Sequence, residues 1–226
     1  MKILYAAIDQ PVPGTRGGSV HVAAVAEGLA ALGHDVVALV APGTGAAHAS
    51  RVQWTPMPPP LGSSHLRLLR ARAIRRLVED WRPDAIIERY HNFGGEAILA
   101  ARRAGAVAVL EVNAPVIDYR GSAKARLDRA LLVQPMRRWR DYVCGRADVI
   151  VTPSASILPR QISNERVAVL EWGADTNRFR ADAPGQPPYV RLSVTTVAVF
   201  AGAFRTWHGA IHLVDAVKRL RARGRW

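Results

Sequence analysis

A chain of 226 residues, 49% of them hydrophobic and 22% charged, is long enough to bury a core; at about 100–200 residues per domain it holds one domain and a remainder. Its net charge of +13 favours anionic partners such as anionic lipid, nucleic acid or phosphorylated substrates, and comes almost wholly from arginine, with Lys2, Lys124 and Lys218 the only lysines. The single cysteine, Cys144, excludes an intrachain disulfide framework and a cysteine-based zinc cluster, and no stretch reaches the ~18 apolar residues of a membrane-spanning helix.

The chain alternates short β-branched runs with longer helical ones, which predicts an α/β fold: a Rossmann-like parallel sheet flanked by helices. Residues 2–8 read as a first strand. Asp9, Pro11 and Pro13 follow it at once with no small-residue cleavage pattern, so it is a core strand rather than a signal peptide, and a cytoplasmic protein is expected. A Pro- and Gly-rich loop leads into a helix over 18–32, with Val22, Val25, Ala26 and Leu29 at the spacing of a buried stripe and Gly33 as its C-cap. Strand 36–40 follows, then a loop holding a short strand over 51–54, and a basic helix over 65–81. Strand 85–88, helix 94–104, strand 107–112, a helical stretch over 122–144 broken near Pro135, and strands 148–151 and 167–170 complete the series.

Arginines crowd two of these segments, at Arg67, Arg70, Arg72, Arg75 and Arg76 and again from Arg120 to Arg146. Both alternate with apolar residues at helical spacing. Such a helix lies either on an anionic membrane surface or with a solvated face outward and its apolar side in the core. Pro184, Gly185, Pro187 and Pro188 mark a linker over about 181–193. A fresh βα unit follows, with a strand over 194–201, a loop over 202–209 and a helix over 210–221.

The loop after the first strand, Pro13-Gly14-Thr15-Arg16-Gly17-Gly18-Ser19-Val20-His21, places glycines where backbone amides and a helix N-terminus can approach an anion. Its spacing is G-x-x-G-G rather than G-x-G-x-x-G, the second strand ends without a carboxylate, and nothing fits a P-loop, so NAD and ATP of the usual kinds are disfavoured.

Several motifs in order carry a family resemblance: Gly17-Gly18-Ser19-Val20-His21-Val22 with Leu32-Gly33-His34-Asp35-Val36; Pro83-Asp84-Ala85-Ile86-Ile87-Glu88-Arg89-Tyr90; Leu110-Glu111-Val112-Asn113-Ala114-Pro115; Ala147-Asp148-Val149-Ile150-Val151-Thr152-Pro153-Ser154; and Gly173-Ala174-Asp175-Thr176-Asn177-Arg178-Phe179. Together with Phe200-Ala201-Gly202-Ala203-Phe204-Arg205-Thr206-Trp207-His208-Gly209, they resemble glycosyltransferase family 4. Glu171-Trp172 departs from the Asn usual at the crossing into the second domain.

The resemblance implies the GT-B fold, with an N-terminal acceptor-side domain over 1–180, a linker over 181–193 and the start of a donor-binding domain over 194–226. It implies transfer of a sugar from a nucleotide diphosphate sugar to an envelope glycan or lipid-linked acceptor, with retention of configuration and with neither cofactor nor metal. Arg205 would neutralise the leaving diphosphate, and His208 stands near the position of the family's usual lysine. Glu111 and Asn113 would line the acceptor pocket. Gly17, Gly18, His21, Glu88, Arg89 and His91 would contact donor phosphate or acceptor. Two of these have structural readings as well: Glu88 as the ion-pair partner of Arg89 or a nearby arginine, and His21 as a hydrogen-bonded structural histidine. Asp175 and Asn177 read as shaping the crossing turn.

One strand and one helix cannot bury their own apolar faces. A truncated second domain is therefore expected, from a frameshifted gene, a fragment, or a half supplied by another chain, with little or no transferase activity in the chain alone. The rival class is a non-catalytic basic module holding anionic membrane or nucleic acid, and no helix-turn-helix, zinc-finger or RNA-binding signature supports nucleic acid.

Overall fold

The hydrophobic run Ile3–Ile8 has no polar alternation, as a strand covered on both faces requires. In a computed structural model of the chain it forms the centre of β1 (Lys2–Val12), and every residue from Ile3 to Ile8 is buried. The structure describes residues 1–45, 50–115, 126, 129–130, 133–171, 173–177, 179–182, 197–202 and 208–224. Two compact units divide the chain, Met1–Trp172 and Gly173–Trp226.

The first unit is a seven-stranded parallel sheet in the order β3-β2-β1-β4-β5-β6-β7, with β2 (Asp35–Pro42), β3 (Gln53–Pro56), β4 (Ala85–Arg89), β5 (Val107–Glu111), β6 (Val149–Thr152) and β7 (Val167–Val169). Successive strands run outward on one side to β3, and the chain then returns to place β4 on the other side of β1. The β1–β4 boundary is thus the switch point, where open α/β sheets leave a crevice outside the strand C-termini.

Alternate residues of β1 serve two cores. Leu4, Ala6 and Ile8 pack with Ile74 and Val78 of α2 (Ala71–Trp81), Ile98 of α3 (Glu96–Ala104) and Val143 of α4 (Val133–Arg146). Ile3, Tyr5 and Ala7 face the other way, onto Val22, Ala26 and Ala30 of α1 (Gly17–Ala31). The β1–β2 register breaks between Ala7 and Pro11. Such an irregularity re-aims side chains, and it frees Asp9 and Gln10 from the ladder at the switch point.

One local expectation changes. The basic helix expected over 65–81 is a 3-10 helix over Ser64–Arg70 followed by α2, and the tighter winding turns Arg67 fully inward. Pro135, near which the 122–144 stretch was expected to break, sits in the first turn of α4, where a missing N–H costs no helical bond. The remainder of the 122–132 stretch lies outside the described residues, except that Arg126, Arg129 and Ala130 are helical.

In the second unit, α5 (Ala210–Ala222) follows Gly209 and has no buried residue; Ile211 and Val214 are exposed. The described part of the expected strand over 194–201, residues 197–201, forms no strand.

Candidate functional site

The C-terminal ends of β1, β4 and β5 converge beside the start of α1, and each ends in residues able to carry charge. Glu111, the last residue of β5, is buried and collects donors from four directions. The Tyr5 hydroxyl donates to its Oε2 at 2.6 Å, and His21 Nε2 lies 2.6 Å from Oε1. Asn113 Nδ2 also donates to Oε1, and Arg89 Nε stands 3.8 Å from the same oxygen. Burial raises the Glu111 carboxyl, but the hydrogen bond and charge of His21, with Tyr5 and Asn113, outweigh it and hold it below its ordinary value. An ionised carboxylate only accepts, so Nε2 of His21 carries the hydrogen. Tyr5 is pushed the other way, well above the ordinary phenol value, by burial and by Glu111 beside it.

A second cluster lies behind the first. Arg67 is completely buried and donates from Nε to Glu96 Oε1 at 2.8 Å, from Nη1 to Asp9 Oδ1 at 2.9 Å and from Nη2 to Glu88 Oε1 at 3.1 Å. A further bond reaches the Arg89 carbonyl at 3.2 Å. The guanidinium fork therefore ties the ends of β1 and β4 to the start of α3. Glu88 in turn accepts the amides of Gly95 (2.5 Å), Ala97 (2.9 Å) and Ile98 (2.9 Å), satisfying the otherwise unpaired N–H groups at the N-terminus of α3. Burial and the Glu96 carboxylate push Glu88 up, to about 8, against the pull of Arg67 and these amides. Asp9 goes the opposite way. Burial raises it, but His91 at 3.2 Å, Arg67 and Gln10 hold it well below the usual carboxylate range.

The structure thus brings Gly17, Gly18, His21, Arg89, His91, Glu111 and Asn113 to one edge of the first unit. Gly17 opens α1 and Gly18 follows it, with the end of the Gln10 side chain lying where a Cβ at Gly18 would stand. His21, Arg89, His91 and Asn113 are partly exposed. The Arg89 Nε is buried with no hydrogen-bond partner among the described residues. Of the two readings expected for Glu88, its contacts fit the structural one: fully buried with both oxygens taken, it fixes the 89–96 segment, and its arginine partner is Arg67 rather than Arg89. His208 lies in the second unit and is exposed; Arg205 lies outside the described residues.

Tyr5, Asp9, Arg67 and Glu96 were not among the expected site residues. Asp9 carries a usable signal, as the first charge after a buried apolar run, at the strand end where α/β sheets place ligands. A tyrosine inside such a run signals a buried hydroxyl that needs a partner. Arg67 carries none, since its neighbours Arg70 and Arg72 look the same in sequence.

Among the described residues, no group of three or more His, Cys, Asp or Glu side chains is arranged to hold a metal ion, and no helix is long and apolar enough to cross a membrane. Chemically, the edge offers one ionised carboxylate with oriented donors, one arginine with an unused N–H and two histidines. That set suits holding hydroxyl groups beside an anion.

A search of curated proteins finds no match. Among solved structures, the chain is similar to a glycosyltransferase from Rickettsia africae ESF-5, at 15% identity and TM-score 0.48, over 78% of this chain and 44% of that one. It is also similar to MurG of Acinetobacter baumannii, at 18% identity and TM-score 0.44, over 81% of this chain and 50% of that one. The chain therefore spans about half the length of these two proteins. The model of Glycosyltransferase Family 4 matches residues 15–178, a span that contains α1, Glu111 and every described strand after β1. The chain belongs to glycosyltransferase family 4, a family of enzymes.

Proposed function

We propose that the switch-point edge is the acceptor side of a transferase that moves a sugar from a nucleotide diphosphate sugar to a hydroxyl of an envelope glycan or lipid-linked acceptor, with retention of configuration. The observation that carries this reading is the Glu111 cluster. Among the described residues Glu111 Oε2 takes one hydrogen bond, from Tyr5, which leaves it a lone pair for an acceptor hydroxyl. His21, Asn113 and Arg89 fix the carboxylate in place, so that the hydroxyl is met by a preorganised group. In the reaction the bond from the anomeric carbon to the phosphate oxygen breaks and a bond to the acceptor oxygen forms on the same face. The acceptor proton passes to the departing diphosphate. Arg205 and His208 are proposed to stabilise the charge that develops on that leaving group. No cofactor or metal enters the scheme.

An acceptor carried on a lipid fits the surface of the first unit. Leu61 is 95% exposed and Leu69 69% exposed, near in sequence to the exposed Arg72 and Arg76. We assign this region to peripheral contact with anionic membrane at the cytoplasmic face. The test is nucleoside diphosphate release from UDP-, GDP- and ADP-sugars by the complete product of the gene, with acceptor lipid extract, followed by the anomeric coupling constant of the product. Acceptor-dependent release with retained configuration is expected. Absence of release across the whole panel would remove the assignment.

A further inference from the structure

Tyr5 stands in the middle of β1, completely buried on the α1 side of the sheet among aliphatic groups such as Val22, Ala26, Val36 and Ala38. For packing alone a phenylalanine would serve there, since a buried hydroxyl is unfavourable unless it is hydrogen-bonded. The Tyr5 hydroxyl has a partner, and it is the carboxylate of the site: it donates to Glu111 Oε2 at 2.6 Å, from two strands away. The other donors around Glu111 converge on the opposite oxygen. His21 Nε2 lies 2.6 Å from Oε1, Asn113 Nδ2 donates to Oε1, and Arg89 Nε stands 3.8 Å from it.

The terminal torsion of a glutamate is soft and roughly two-fold, so a carboxylate anchored at one oxygen pivots about it. Anchored at both oxygens, it has a fixed plane. Among the described residues Tyr5 supplies the anchor on Oε2, the oxygen that keeps a lone pair for an acceptor hydroxyl. Burial and the neighbouring carboxylate hold the phenol well above its ordinary value, so it stays a donor at neutral pH. We infer that Tyr5 is a positioning residue: without touching substrate, its hydroxyl fixes the plane of the Glu111 carboxylate and so the direction from which an acceptor hydroxyl is held. The acceptor's part in this rests on the proposed function.

Tyr5→Phe removes one oxygen from this layer and keeps the ring, so the core stays filled. Carbon-13 NMR of the glutamate carboxyls follows the ionisation of Glu111 in the chain, its signal assigned by loss in Glu111→Gln. The groups facing this carboxylate are Tyr5 of β1, His21 of α1, Arg89 of β4 and Asn113 after β5, with Asp9 of β1 beyond Tyr5. In Tyr5→Phe the midpoint is expected to rise by about one pH unit or more, the effect of losing a hydrogen bond to a charged group. Tyr142→Phe, on the exposed face of α4, is expected to leave it in place. In the complete gene product Tyr5→Phe is expected to lower acceptor-dependent kcat about tenfold or more and to leave KM for the nucleotide sugar unchanged. The acid limb of its rate profile is expected to move up with the Glu111 midpoint. In a Glu111→Gln background the substitution should lower the rate no further. A stability defect alone would lower the active fraction and leave both pH midpoints where they are. An unmoved Glu111 titration, or transfer by Tyr5→Phe with wild-type kcat and pH profile, would overturn the inference and leave the proposed function standing. Absence of transfer in wild type as well would remove the proposed function and the positioning role together.

Discussion

Replacing Arg67 by methionine keeps most of the side-chain volume and removes a guanidinium that meets three buried carboxylates. In the native chain it lies 2.7 Å from Glu96, 2.9 Å from Asp9 and 3.1 Å from Glu88, with all four side chains almost fully excluded from water. Breaking a buried ion pair by removing one partner costs about 3–5 kcal/mol, because the other charge stays buried without compensation. Against a typical domain stability of about 5–15 kcal/mol this is a large fraction. With a urea slope of about 2–3 kcal/mol per M, the midpoint should fall by about 1–2 M, read by tryptophan fluorescence. The loss should also depend on pH. Glu88 has its folded pKa raised from 4.5 to about 8, so the stability tied to its proton is fully present below about pH 4.5 and is lost as the pH rises through about 8. Without Arg67 the charged form is worse still, and Arg67→Met should be more destabilised at pH 8 than at pH 5. A loss below about 1 kcal/mol, or one equal at the two pH values, would refute the view that Arg67 neutralises the cluster.

Three further perturbations probe other parts of the account. Glu111→Gln should cost about 1–3 kcal/mol at pH 7. Because the folded pKa of Glu111 is lowered, its stabilisation is present above about pH 4.5 and fades as the pH falls, so wild type and variant should converge in acid unfolding curves. Gly95→Ala should cost about 2–3 kcal/mol in thermal melts, since the backbone there has φ of +136° and the new Cβ would fall 2.6 Å from Val143 Cγ2. Cys144 is buried, and burial pushes its thiol up to about 11, so it should resist thiol-disulfide reagents at pH 8 until denaturant is added.

The sheet was legible because its strands are short apolar runs bounded by turn residues, and the β1–β4 register of Tyr5 to Ile87 needs no unusual signal to form. Glu111 and Asn113 were legible as strand-end polar residues. What escaped were partnerships made at long sequence separation. Tyr5 and Glu111 are 106 residues apart, and Arg67 is 58 from Asp9. Helical periodicity treats Arg67, Arg70 and Arg72 as one basic face, but the 3-10 turn before α2 sends Arg67 inward while Arg72 stays exposed. For Glu88 a nearby arginine was anticipated, yet its main work is to accept three amides of the 95–98 turn, which only the fold brings beneath it.

Whether the Glu111 carboxylate holds the acceptor in sugar transfer, as proposed, is read by comparing wild type with Glu111→Gln in acceptor-dependent nucleoside diphosphate release by the complete gene product. The acceptor-dependent rate should fall about 100-fold or more in the variant, while binding of the nucleotide sugar changes little. A variant that transfers sugar at the wild-type rate would contradict it.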